Sequence, residues 1–187
     1  DSTSSKVDVP DYHAACLKKF DSIKIGIPRQ FLDGLDDSVK SVFYEAIKIL
    51  EENNCTVKEI NLKNSKLGVS AYQVVAPAEC SSNLSRYDGI RFGFRADDVT
   101  TIDELYKKSR SQGFGREVKR RILIGTYALS AGYYDAYYLK AQRIRQIITS
   151  EFAEAFKEVD LILGPTAPDS AFKIGEKTND PIAMYLS

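Results

Sequence analysis

The stretch IKIGIPRQFLDGLDDSVKSVFYEAIKILEENNCTVKEINL, residues 23–62, decides the fold. Residues 23–27 alternate apolar side chains with polar or small ones before Pro28, and this period of two predicts a strand. Apolar side chains then recur at helical spacing across residues 39–50. Residues 55–62 predict a second strand. A strand, a helix and a strand in this order predict a βαβ unit with parallel strands and a right-handed crossover.

The chain beyond this unit is predicted to be mainly helical. A helix begins near Leu67, and we expect Pro77 to kink or restart it, because proline lacks an N–H and clashes with the preceding turn. A polar, glycine-containing stretch then predicts a loop or a helix end. Two further apolar helical patterns, joined at Gly132, occupy residues 113–146. Residues 159–163 predict a third, buried strand.

These elements predict an α/β fold class, in which a mixed sheet is flanked by helices and the βαβ unit lies near the N-terminus. We expect one partial domain over residues 1–187. It comprises a βαβ portion (1–66), a helical portion (67–158) and a strand with a loop (159–187). Three strands are few for this many helices, so we expect residues outside this sequence to complete the sheet.

Composition and charge argue against several classes of protein. The 187 residues are 43% hydrophobic and 28% charged, which is ordinary for a globular domain. The 26 basic and 26 acidic side chains give zero formal net charge and argue against a broad nucleic-acid surface. No apolar run approaches the length of a membrane span, and the polar, acidic first residues do not resemble a signal peptide. We therefore expect no membrane partner.

Cysteine and histidine offer little for metal binding or catalysis. Cys16, Cys55 and Cys80 are isolated in the sequence and lack the spacing of metal ligands, so we expect three reduced thiols. His13 is the only histidine and lies in a polar N-terminal segment. A nucleophile that needs a histidine base would depend on this one residue, so we expect neither such an enzyme nor a metal site.

Arg121 is the charged side chain whose spacing suggests a ligand. Glu117 lies one helical turn before it and Gly125 one turn after it, on the same side of the predicted helix. A surface ion pair with Glu117 is the simpler interpretation. In the alternative, Gly125 leaves a gap in which the planar guanidinium of Arg121 binds a carboxylate. Spacing alone favours the surface pair.

The tyrosines are equally ambiguous. Tyr72 lies alone on an otherwise apolar helix, where core packing is the default expectation. Five more tyrosines fall within residues 127–138, and we expect them to be core or interface rings whose hydroxyls contact water or backbone. From these patterns the chain is an α/β or α-rich domain that is compatible with an acidic ligand.

Five motifs carry a resemblance to a known family. In chain order they are DSTS (1–4), KIGIPRQF (24–31), APAECSSNLSRYDGIRFGFR (76–95), SRSQGFGREVKRRILIGTYALSAGYYDAYYLKAQRIR (109–145) and LILGPTAP (161–168). Together they resemble the amidase-signature family, and within it the glutamine-hydrolysing A subunits of tRNA-dependent amidotransferases. The resemblance covers the whole chain and is most specific between residues 80 and 146. It implies a helix-rich part of the amidase-signature fold.

The activity that the resemblance implies is glutamine hydrolysis within a larger complex. Ammonia would pass to a B subunit that uses ATP and Mg to amidate Glu-tRNA(Gln) or Asp-tRNA(Asn), and a small C subunit would hold the two together. No cofactor is expected in this chain, and the complex would work in the cytoplasm or an organellar matrix. The alternatives are another amidase-signature hydrolase acting on a different amide, and a non-catalytic interaction module derived from the family.

The catalytic residues of the family do not match any residue of this sequence. The family uses a serine nucleophile, a second serine with a cis peptide and a lysine, all of which precede the DSTS motif. We therefore expect the chain to be an incomplete piece that is inactive alone.

Two substrate-binding residues can nevertheless be carried over from the resemblance. Arg121 matches the arginine that binds the α-carboxylate of glutamine, and Tyr72 matches a tyrosine that lines the same pocket. The aspartate that holds the amino group would follow Ser187 directly. We expect Arg121 and Tyr72 to line one cavity.

Overall fold

The computed structural model describes residues 4–18, 22–180 and 184. The chain divides into two compact units, which are described separately. One unit comprises Asp1–Ile60 together with Phe156–Ser187, and the other comprises Asn61–Ala155. No helix among the described residues is both long enough and apolar enough to cross a membrane.

The first unit contains a three-stranded parallel sheet. Its strands are β1 (Ile23–Pro28), β2 (Cys55–Ile60) and β3 (Leu161–Ile162), in the order β2-β1-β3. Ile23 pairs with Cys55 along β1 and β2, and Ile25 pairs with Leu161. The parallel pairing predicted for residues 23–62 is confirmed. Both later strands are shorter than the predicted ranges of 55–62 and 159–163.

Among the described residues of this unit, two α-helices accompany the sheet. Helix α1 (Tyr12–Cys16) is short, and helix α2 (Asp37–Glu52) connects β1 to β2. Asp36 caps α2, because its side chain accepts a hydrogen bond from the N–H of Ser38 at 2.9 Å. The predicted helix within the βαβ unit is therefore present, with an acidic N-cap.

The core of the first unit lies around the central strand. Ile25 and Ile27 of β1 are buried, as expected for a strand with neighbours on both sides. Gly26 between them admits close packing, since a Cβ there would lie 2.9 Å from the Cδ1 atom of Ile60. Of the predicted apolar face of α2 only Phe43 is buried, whereas Val42 is 66% exposed. The helix thus presents apolar surface that the described residues do not cover.

The second unit is helical. Its main helices are α3 (Gly68–Leu84), α4 (Ile102–Gly113), α5 (Arg116–Leu129) and α6 (Lys140–Ala155). Short 3₁₀ helices lie at Arg29–Leu32 in the first unit and at Ser65–Leu67 in this one. Thr101 caps α4 by accepting a hydrogen bond from the N–H of Glu104 at 3.2 Å.

Pro77 was predicted to kink or restart this helix, and the restart is excluded, because α3 continues through Pro77. A proline within a helix costs about 3 kcal/mol or more through its lost hydrogen bond and its clash with the preceding turn. Tertiary packing offsets this cost here, since Pro77 is buried and its carbonyl lies against Gly125 of α5. The prediction considered only the local sequence around Pro77, and it could not include the packing of Pro77 against Gly125 on α5.

The junction between α5 and α6 also differs from the prediction. Gly132 has a φ of +87°, so the left-handed conformation expected there is confirmed. The next residues do not begin an α-helix near Asp135, because Tyr134–Leu139 form a π-helix before α6. The wider turn brings the rings of Tyr134 and Tyr138 within 5.2 Å of each other, measured between centroids.

Candidate functional site around Arg121

Arg121 lies on α5 and contacts side chains from two helices. Its Nε donates a hydrogen bond to Oε1 of Glu117 at 3.0 Å, one turn earlier on the same helix. Its Nη1 donates to the hydroxyl of Tyr72 on α3 at 3.3 Å. The side chain is 32% exposed, so solvent reaches part of the guanidinium. The structure therefore brings together the two residues that the resemblance singled out, although they lie 49 positions apart.

Glu117 is shared between two arginines. Arg120 donates to it with two nitrogens, Nε to Oε2 at 2.8 Å and Nη2 to Oε1 at 2.9 Å, in a bidentate pair. The hydrogen bonds from Arg120 and then Arg121 lower the pKa of Glu117 from its ordinary 4.5 to about 2. One carboxylate between two guanidiniums leaves a net charge of about +1 on this cluster at neutral pH. Arg120 thus offsets the charge that Glu117 places beside Arg121.

Gly125 does not leave a gap for a ligand, so that part of the interpretation is wrong. It is buried, and a Cβ built on it would lie 1.9 Å from the carbonyl oxygen of Pro77 and 2.8 Å from Cβ of Ser81. Its role is to let the backbones of α3 and α5 approach closely. Next to it, the hydroxyls of Ser81 and Thr126 lie 2.9 Å apart across the same contact. The close approach sets the distance across which Arg121 reaches Tyr72.

The ring of Tyr72 faces an apolar cleft between α3 and α6. The cleft has a volume of about 460 Å³. Its walls include Ala71 and Val75 from α3 and Ile148 and Phe152 from α6. Arg121 is not among the residues that line this cleft. Tyr72 is 46% exposed, so core packing, the default expectation for this side chain, does not describe it.

The tyrosines near the end of α5 form an exposed aromatic cluster. The ring centroids of Tyr127 and Tyr133 lie 4.2 Å apart, and Tyr137 lies 6.1 Å from each of them. Each of these three rings is between 42% and 49% exposed. A hydrogen bond with Tyr133, followed by desolvation, raises the pKa of Tyr127 to about 12. Tyr137, one of the five tyrosines that we expected to be core or interface rings, is therefore at the surface.

The remaining candidates from the sequence are scattered. Cys16 is exposed, Cys55 is buried and Cys80 is intermediate, and all three are free thiols. His13 is exposed on α1. Within the described part of the chain, no three histidine, cysteine, aspartate or glutamate side chains are grouped to hold a metal ion.

The sequence model of a known family, Amidase, matches residues 1–187. The chain is 56% identical to the A subunit of the glutamyl-tRNA(Gln) amidotransferase of Methylococcus capsulatus and 52% identical to that of Persephonella marina. Each alignment covers 100% of this chain and 39% of the relative. The chain thus spans about two fifths of the length of these relatives.

Two solved structures with similar folds are also named as amidase-signature or amidotransferase proteins. The A subunit of the glutamyl-tRNA(Gln) amidotransferase from Thermotoga maritima aligns with a TM-score of 0.60 and 38% identity, over 88% of this chain and 31% of that one. A bacterial aryl acylamidase of the amidase signature family aligns with a TM-score of 0.64 over 92% of this chain and 32% of that one. It is only 17% identical, so it supports the fold alone.

Proposed function

The chain belongs to the amidase family, and from this premise we propose that it is part of the glutamine-hydrolysing subunit of a tRNA-dependent amidotransferase. The observation that carries the proposal is identity of 52–56% over the whole chain to proteins named as the A subunits of glutamyl-tRNA(Gln) amidotransferases. The geometry around Arg121 supports it, because its guanidinium already binds one carboxylate, that of Glu117, and is partly exposed to solvent.

Arg121 is proposed to bind the α-carboxylate of glutamine. A guanidinium offers paired N–H donors in a plane, which match the two oxygens of a carboxylate. Because Arg120 also binds Glu117, the cluster keeps its net positive charge and still attracts an anionic ligand. The hydroxyl of Tyr72 accepts a hydrogen bond from Nη1 and helps to fix the plane of the guanidinium.

The catalytic groups are proposed to lie outside residues 1–187. Among amidase-signature enzymes the reaction uses two serines and a lysine. No residue of this sequence matches any of these three. We expect the 187-residue chain to bind glutamine weakly or not at all and to hydrolyse none. Any catalysis would require the rest of the polypeptide.

The partners follow from the proposed role in translation. A B subunit would bind the misacylated tRNA, Glu-tRNA(Gln) or Asp-tRNA(Asn), and use ATP and Mg to activate the side-chain carboxylate for attack by ammonia. A C subunit would join the two larger subunits. The proposed complex works in the cytoplasm or in an organellar matrix.

The test is to express the complete reading frame that contains these residues, by itself and together with the B and C subunits. Ammonia release from glutamine and conversion of Glu-tRNA(Gln) to Gln-tRNA(Gln), dependent on both partners and ATP, are the expected results. Hydrolysis of other amides by the polypeptide by itself, without tRNA amidation, would instead identify a free-standing amidase. Ammonia release by residues 1–187 alone, above a control without protein, would refute the claim that the catalytic groups lie elsewhere.

A further inference from the structure

The carboxylate of Glu117 divides its hydrogen bonds unequally between two arginines of α5. It accepts two from Arg120, from Nε to Oε2 at 2.8 Å and from Nη2 to Oε1 at 2.9 Å. It accepts one from Arg121, from Nε to Oε1 at 3.0 Å. Arg120 therefore binds both oxygens of the carboxylate, whereas Arg121 binds one oxygen that it shares with Arg120.

Glu117 is an internal competitor for any other carboxylate that Arg121 binds. A bidentate contact uses two neighbouring nitrogens of a guanidinium, such as the Nε and Nη2 with which Arg120 binds Glu117. Along the helix Arg120 lies three residues after Glu117 and Arg121 lies four residues after it, and both spacings allow side-chain contact. Without Arg120, both oxygens of Glu117 become available to Arg121. A substrate carboxylate would then have to displace a complete ion pair.

This competitor does not disappear by protonation at neutral pH. Hydrogen bonds from Arg120 and then Arg121 lower the pKa of Glu117 from its ordinary 4.5 to about 2. With both arginines the cluster has a net charge of about +1, and without Arg120 this net charge falls to about zero. Loss of Arg120 therefore has two consequences: it releases the competing carboxylate, and it removes part of the attraction for an anionic substrate.

The two arginines differ in their other surroundings. Arg121 reaches the neighbouring helix α3, where its Nη1 donates to the hydroxyl of Tyr72 at 3.3 Å. The side chain of Arg121 is 32% exposed and that of Arg120 is 54% exposed. Successive residues of a helix point about 100° apart, so a ligand that Arg121 binds does not also lie over Arg120. Arg120 is thus placed to act on Arg121 through Glu117.

We propose that Arg120 is a positioning residue of the glutamine site: it holds the Glu117 carboxylate with two hydrogen bonds, so that Glu117 does not occupy Arg121 in place of the substrate carboxylate. Arg120 itself does not contact glutamine. The inference rests on the proposed function, in which Arg121 binds the α-carboxylate of glutamine. It adds a residue that sets the affinity for the substrate and not the rate of the chemical step.

The test is a double-mutant cycle in the complete polypeptide assembled with its partner subunits, with KM for glutamine measured by steady-state ammonia release. The variants are Arg120→Met, Glu117→Gln, which keeps the size of the side chain, and the two combined. Arg120→Met alone should raise KM about tenfold and leave kcat within about twofold. Added to Glu117→Gln, it should raise KM at most about threefold, because the competing carboxylate is already gone and only the charge of Arg120 is lost.

Two further variants separate the hydrogen bonds of Arg120 from its charge. Arg120→Lys keeps the charge but lacks the paired N–H groups, so KM should remain about threefold above that of the wild type. Arg143→Met is the matched control, since it removes an exposed arginine of α6 that has no proposed contact with Glu117 or glutamine. Its KM should stay within about twofold of the wild type. Thermal unfolding is measured for every variant.

Each alternative result overturns the positioning role. Equal effects of Arg120→Met with and without Glu117→Gln, or a wild-type KM of Arg120→Lys, would mean that Arg120 acts through its charge alone. A fall in kcat or in the unfolding temperature that Glu117→Gln does not reverse would indicate a structural role. An unchanged KM of Arg120→Met would mean that Glu117 does not compete. If Arg121→Ala then raises KM, only the positioning role is rejected. If the wild-type enzyme hydrolyses no glutamine, the proposed function fails as well.

Discussion

Arg110 on α4 and Arg121 on α5 are two arginines on consecutive helices, and they are held by different kinds of partner. Arg110 donates to two backbone carbonyls, and its guanidinium lies 5.0 Å from the ring centroid of Phe114. Arg121 donates to the carboxylate of Glu117 and the hydroxyl of Tyr72. The carbonyls of Leu84 and Tyr87 belong to the backbone and cannot move away without unfolding the loop that follows α3. The side chains of Glu117 and Tyr72 can rotate to admit a ligand.

Under the proposed function, this difference separates an arginine that stabilises the fold from one that is proposed to bind substrate. The local sequence does not separate them, because both lie in charged helices near glycine and aromatic residues. The hydrogen-bond partners do, since only Arg121 is held by groups that a substrate carboxylate could replace or extend. Substitutions at the two sites should therefore affect different measurements.

The largest effect is expected from Arg121→Ala in the complete enzyme. Loss of a bidentate, charged contact with the α-carboxylate should cost ~2–4 kcal/mol, which raises KM for glutamine by about 30- to 1,000-fold. Steady-state ammonia release would measure it, and kcat should change much less. Arg143→Ala is the control, because Arg143 is exposed on α6 and has no proposed contact with Glu117 or with glutamine. An unchanged KM for Arg121→Ala would remove this residue from the substrate site.

Gly125→Ala tests the helix contact that places Arg121 beside Tyr72. The new methyl group would overlap the carbonyl of Pro77, so we expect a loss of about 1–3 kcal/mol in the free energy of unfolding, measured by urea denaturation. Glutamine binding should weaken too, because α3 and α5 must move apart. Gly68→Ala is the control: among the described residues, no atom beyond its chain neighbours and the backbone of its own helix turn lies within 4 Å of the added Cβ, and alanine favours the helix. Equal stability of the two variants would contradict the close approach of α3 and α5.

The sequence predicted the parallel sheet well because the information for it is local. Alternation in residues 23–27, helical spacing in residues 39–50 and a second apolar stretch fix a βαβ unit without knowledge of distant residues. Periodicity alone does not show whether the apolar face of α2 is covered. Periodicity shows that Val42 and Ile49 share an apolar face but not whether any described residue packs against it, and both are more than half exposed.

The candidate site was predicted only in part, because its geometry depends on contacts between distant residues. The spacing of Glu117 and Arg121 correctly indicated an ion pair one turn long. The role of Gly125 could not be predicted from spacing, because the group that packs against it is the carbonyl of Pro77 on another helix. From the resemblance we expected Arg121 and Tyr72 to line one cavity; they are in contact, but Arg121 does not line the cleft beside Tyr72. Their role in binding glutamine stays a prediction. No local pattern indicated the π-helix at Tyr134–Leu139, which depends on a shift of hydrogen-bond register.

Arg110→Met tests the other half of the comparison. Methionine keeps much of the apolar bulk but removes the donors to the carbonyls of Leu84 and Tyr87, so the free energy of unfolding should fall by about 1–2 kcal/mol. Amide hydrogen exchange should accelerate across residues 85–100 and leave α6 unchanged. KM for glutamine should stay within about twofold of the wild type, since Arg110 is not proposed to bind substrate. A large rise in KM without faster exchange would reverse the assignment of the two arginines.

The smallest effect concerns the ionisation of Glu117. Its pKa in the folded protein is about 2, below the ordinary 4.5, because of hydrogen bonds first from Arg120 and then from Arg121. A depressed carboxyl pKa stabilises the folded state above pH 4.5, and this contribution is lost as the pH falls through 2. A ¹³C NMR titration of the Glu117 carboxyl should therefore show no midpoint between about pH 7 and 3. Arg120→Met should raise the midpoint, whereas Lys48→Met, which removes a 4.0 Å pair with Glu52, should not. A wild-type midpoint near 4.5 would mean that neither arginine binds Glu117 in solution. The hydrogen bond from Nε of Arg121 to Glu117 would then be absent.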